Sequence, residues 1–159
     1  MTNGRQTEPT CTRRLALALA ALSAAAALTA CSHAMMMREG AGRARPGAVD
    51  FGLGPRTSAA GLYVATLEPA PALRPRRLLT LRVTIRTAAG RPVLDARIAI
   101  GGGMPRHGHG LPTRPRATSL GDGLYELEGV RFNMGGWWEL TLTVAGPDGD
   151  DTVVFNLDV

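Results

Sequence analysis

Through the second half of the chain the apolar residues fall on alternate positions. Leu79, Leu81, Val83 and Ile85 share one parity, with Thr80, Arg82, Thr84 and Arg86 between them. After the turn-forming "AAGRP", Leu94, Ala96, Ile98 and Ile100 repeat the pattern. Tyr125 and Leu127 alternate with Glu126 and Glu128, and Trp138, Leu140, Leu142 and Val144 with Trp137, Glu139, Thr141 and Thr143. Val153, Phe155, Leu157 and Val159 close the chain. A period of two puts every second side chain on one face of an extended strand, so these segments are half-buried β-strands. An earlier strand is expected near Leu62–Leu67, and one-face alternation favours antiparallel pairing. About seven short strands with Gly, Pro and Asp at the turns predict an all-β, immunoglobulin-like antiparallel sandwich over residues 48–159.

The first 31 residues read as an address label. Arg13 and Arg14 precede an apolar run from Leu15 to Ala30, which is short for a membrane span and suited to a signal sequence. The run ends in "LTAC", Leu28 to Cys31, which resembles the lipobox of bacterial lipoproteins. That resemblance implies cleavage before Cys31, acylation of its thiol, and a lipid-anchored, extracytoplasmic protein of the cell envelope. Residues 32–47, with His33, Met35, Met36 and Met37, form an expected flexible tether with no clear period. The chain's two cysteines are Cys11 and Cys31, so the folded part is left without a thiol or a disulfide. Thiolate zinc sites and iron–sulfur clusters are thereby excluded.

The net charge of +5 falls to +3 without residues 1–31, at 15 arginines against 12 acids. No basic run is interleaved with aromatics, and no nucleic-acid partner is expected.

The chemistry concentrates in "GGGMPRHGHGLPTRP", Gly101 to Pro115. Following the strands up and down places this loop at the same end of the sandwich as "NMGG", Asn133 to Gly136. Met104, His107, His109 and Met134 then meet at one end. His107 and His109, at i and i+2, share a side of an extended segment. Thioether and imidazole suit copper(I), while copper(II) prefers imidazole and oxygen. Pro105 and Pro112 lower the ordering cost of capture. Simpler roles stand beside these: Met134, in phase with Val130 and Phe132, plugs the core, and Met104 is an exposed loop residue. Trp138 is expected in the core, and Trp137, on the other phase, half-exposed as a partner surface.

"MPRHGHGLPTRP", "GDGLYELEGVRFNMGGWWELTLTV" and "DTVVFNLDV" together resemble the YtkA-like domain of bacterial envelope proteins, related to FixH-like accessory proteins. The likeness covers about Leu78 to Val159. It implies a small extracytoplasmic β-sandwich, a link to copper handling or cytochrome oxidase assembly, and Met104, His107, His109 and Met134 as ligands. Gly135 and Asn133 depart from the proline and histidine that many members carry there.

The expected function is therefore a membrane-anchored copper-binding protein, copper(I) favoured. It would serve as metallochaperone or scavenger, with the lipid bilayer and a copper-receiving envelope protein as partners. The alternative is a non-metal interaction module assisting assembly of an envelope or respiratory complex. No enzyme is expected, because the loops lack a carboxylate to partner a histidine and no nucleophile elbow is present.

Overall fold

The computed structural model describes residues 44–68 and 72–159. The signal-like segment, Cys31, His33 and Met35 to Met37 lie outside the described residues. Arg43–Val159 forms one compact unit. Both sheets and the buried core of the described residues lie within it.

Nine strands are present among the described residues: β1 (Arg56–Thr57), β2 (Tyr63–Leu67), β3 (Leu78–Thr87), β4 (Arg97–Met104), β5 (His109–Gly110), β6 (Arg116–Gly121), β7 (Leu124–Arg131), β8 (Trp137–Gly146) and β9 (Gly149–Asp158). They form two antiparallel sheets, ordered β1-β2-β3-β7-β6 and β5-β4-β8-β9. The count exceeds the expected seven because two-residue strands, β1 and β5, flank the sheets.

Period-two burial builds the core. Tyr63, Ala65 and Leu67 of β2, Leu81, Val83 and Ile85 of β3, and Tyr125 and Leu127 of β7 face Trp138, Leu140, Leu142 and Val144 of β8 and Val153, Phe155 and Leu157 of β9. Most outward positions of β3 and β7 are polar and cross-strand matched, as where Arg82 Nε lies 3.5 Å from Glu126 Oε2.

Two tyrosines pin the lower end, opposite the end where β4 finishes. The Tyr63 hydroxyl donates to the Gly149 carbonyl at 2.7 Å and accepts from the Asp148 N–H. The Tyr125 hydroxyl donates to the Val93 carbonyl and accepts from the Ala96 N–H. This second clip corrects the expected strand from Leu94. Val93 is buried, Leu94 turns out to solvent, and regular pairing begins only at Arg97. At its other end β4 runs further than expected. Gly101, Gly102 and Gly103 pair with Thr141, Leu140 and Glu139, so the glycine run is strand rather than loop.

Candidate metal centre

β4 and β5 are joined by a tight turn. The N–H groups of His107 and Gly108 both donate to the Met104 carbonyl, at 3.0 and 2.9 Å, and Met104 pairs with His109 across the hairpin. Gly108 takes φ +64°, a left-handed conformation that glycine adopts at little cost. The histidines thus sit on a turn and its exit, not on one extended segment. The turn still brings them together: their rings are parallel within 5°, with centroids 6.1 Å apart, and both residues are exposed.

The two methionines exchange the simpler roles that the sequence suggests for them. Met104 shares the inward parity of Ile98 and Ile100 and is only 3% exposed. Met134 is 39% exposed, because β7 ends at Arg131 and Phe132 and Trp138, at 5.2 Å edge-to-face, already fill the top of the core. The loop carrying Met134 is fixed by its backbone. Its carbonyl accepts from Trp138 Nε1 at 3.0 Å, and Gly136 exchanges two hydrogen bonds with Val159.

Met104 connects the two segments. A Cβ on Gly136 would lie 3.2 Å from Met104 Cε, so the thioether methyl rests against the loop that bears Met134. All four expected ligand residues therefore fall at one end of the sandwich, on two adjoining segments. The stacked histidine pair is the tightest grouping. Among the described residues no cluster of three or more His, Cys, Asp and Glu side chains could hold a metal.

The outer face of the same corner carries a groove of about 550 Å³, lined by Gly101, Gly103, Pro105, His109, Glu139 and Thr141 among others. Sequence reasoning passed over Glu139. Its outward parity on β8 and its register opposite Gly103 put a carboxylate-bearing residue on the same groove as His109.

Trp137 is not the half-exposed surface expected from its phase. It is 4% exposed, and the reason lies in the N-terminal segment. Phe51 packs edge-on against it at 6.3 Å and bridges to Asn156, whose side chain accepts from Trp137 Nε1 at 2.9 Å. Arg45 lies 4.6 Å over the Phe51 ring and pairs with Asp158 at 2.6 Å. Residues 45–51 thus strap the outer face of β8 and β9.

No curated protein and no solved structure shows significant similarity to the chain. A family model does match, over residues 59–143. It takes in β2, outside the resemblance drawn from the motifs, spans the histidine hairpin and the Met134 loop, and stops before β9. That family is described as YtkA-like, and with just over half its length matched the chain belongs to it.

Proposed function

We propose that this protein is a membrane-anchored, extracytoplasmic copper-binding protein that carries or scavenges copper(I) for copper handling or oxidase assembly. The observation that supports this most is the parallel pair of His107 and His109 on a turn whose base is Met104. Metal–imidazole bonds of about 2 Å place the centroids of two rings on one ion roughly 5–6 Å apart. The observed 6.1 Å lies just beyond that range and the rings are stacked parallel, so at least one imidazole must turn on capture to bring both ring nitrogens onto one ion. Met134 supplies a thioether from the facing loop, and Met104 a second from the core side. All four ligands are neutral, and the pairing of soft sulfur with imidazole selects copper(I).

Cys31 holds the protein at a bilayer through its acyl chains, and copper passes to an envelope protein. The role is binding rather than catalysis.

Competition for copper(I) against a chelator of known affinity tests the reading. One ion per chain is expected, with His107→Ala and His109→Ala each weakening it at least ten-fold, about 1.4 kcal/mol. Absence of uptake under reducing conditions refutes it. Cys31→Ala should abolish detergent partitioning of the matured protein; a variant still processed and membrane-bound refutes the anchor.

A further inference from the structure

The upper edge of the five-stranded sheet collects arginine. Arg74, Arg76 and Arg77 lead into β3, and the Arg76 N–H donates to the Phe132 carbonyl at 2.7 Å, which fixes them at this end. Arg131 ends β7 opposite Leu78, while Arg114 and Arg116 enter β6. Five of the six are exposed and Arg131 is half-buried. Among the described residues the ion pairs are Arg45–Asp158 and Arg82–Glu126, so none of the six is in one. The acids at this edge are Glu68 and Glu128, and the other sheet adds Glu139 and Asp158, the latter paired with Arg45, at the same end. The opposite end, counted over both sheets, has the reverse balance, with Asp95, Asp122, Asp148, Asp150 and Asp151 against Arg86, Arg91 and Arg97.

In the middle of the arginines stands Leu78, 69% exposed, next to Arg77 and opposite Arg131. An exposed leucine flanked by Arg77 in sequence and Arg131 in register, on an arginine-rich edge, matches a surface that is anionic on top and apolar beneath. Guanidinium forks bind phosphate oxygens bidentately. The chain also enters the domain at this end, through Arg45 on Asp158. Cys31 stands fourteen residues before Arg45, a contour of at most roughly 50 Å.

We infer that this edge is a docking surface for an anionic lipid bilayer, one that holds the histidine hairpin at the membrane surface. The inference rests on the proposed lipid anchor only for its geometry, since the contact itself is made by the domain.

The test uses the Arg43–Val159 unit, which contains both sheets and the core of the described residues, without metal or acyl chain. It is sedimented with vesicles of equimolar phosphatidylglycerol and phosphatidylcholine, and with phosphatidylcholine alone. Binding is expected only to the anionic vesicles, and should be lost in about 1 M salt, where the screening length is roughly 3 Å. The double variant Arg76→Gln/Arg77→Gln should weaken partitioning roughly 25-fold, from about 1 kcal/mol per basic residue near an anionic surface. Leu78→Ser should weaken it further, and Arg91→Gln/Arg97→Gln at the opposite end should leave it unchanged. Equal binding to neutral vesicles, or equal loss in the opposite-end variant, overturns the inference. So does failure to bind vesicles by a domain that binds polyglutamate, which would make an acidic protein the partner. Copper titration is independent of each of these outcomes.

Discussion

Truncating the two methionines separately should give very different costs. Met104 is 3% exposed and its methyl rests against Gly136, a residue with no side chain to move into a void. Met→Ala in a core costs about 2–5 kcal/mol, the upper part of the range applying where the surroundings cannot collapse. For Met104→Ala, about 3–4 kcal/mol is therefore expected. Met134 is 39% exposed and its structural contact is a backbone carbonyl, which alanine retains. Met134→Ala should cost less than about 1 kcal/mol. Urea unfolding of the metal-free domain reads both. With a slope of about 1.5 kcal/mol/M, the midpoint should drop by about 2 M for Met104→Ala and by under about 0.7 M for Met134→Ala, at constant slope. Equal costs, or a larger cost at Met134, would refute the assignment of Met104 to the core.

Other substitutions and conditions probe the frame around the site. A Cβ at Gly102, where φ is +153°, would overlap the Glu139 carbonyl, whereas Gly101 faces open space. Gly102→Ala should therefore cost on the order of 2–3 kcal/mol and Gly101→Ala under about 0.5 kcal/mol in the same unfolding assay. Phe51→Ala should uncover Trp137, seen as a red-shifted tryptophan emission and easier acrylamide quenching; an unchanged spectrum would refute the strap. The Asp151 carboxyl is lowered to about 2 by the Ser58 hydroxyl and by the N–H groups of Ala60, Thr152 and Leu62, against the desolvation that raises it. A carboxyl lowered on folding stabilises fully above its unfolded value near 4, and that contribution disappears as pH falls from about 4 to about 2. Asp151→Asn should flatten the stability–pH curve in that window, measured by unfolding midpoints, and leave its slope above pH 5 unchanged.

Alternation made most of the sandwich legible. The inward residues of β3, β7, β8 and β9 follow from parity alone, because each strand has one face on the core. Parity carried past Ile100 also puts Met104 inside, a signal hidden by three glycines that look like loop but pair as strand. Met134 shows the opposite failure: its parity continues Phe132, but the strand has ended, and parity means nothing beyond the last ladder bond. The exposure of Leu94 and the burial of Trp137 depend on long-range partners, the Tyr125 hydroxyl and Phe51. Neither lies within the local window that periodicity reads. The histidine pair was legible as a pair, but its ring geometry comes from the turn at Gly108.

The central claim, one copper(I) held by imidazole and thioether at the upper end, is tested most directly by X-ray absorption at the copper edge. The spectrum would be taken on the copper(I)-loaded Arg43–Val159 unit and on its Met134→Leu variant. Nitrogen scatterers are expected at about 2.0 Å and a sulfur shell at about 2.3 Å, distances typical of imidazole and sulfur ligation. The sulfur amplitude should fall in Met134→Leu, a volume-conserving change that leaves the fold within about 1.5 kcal/mol. A spectrum with nitrogen or oxygen alone, unchanged by Met134→Leu, would contradict it and reduce the site to a two-histidine chelate.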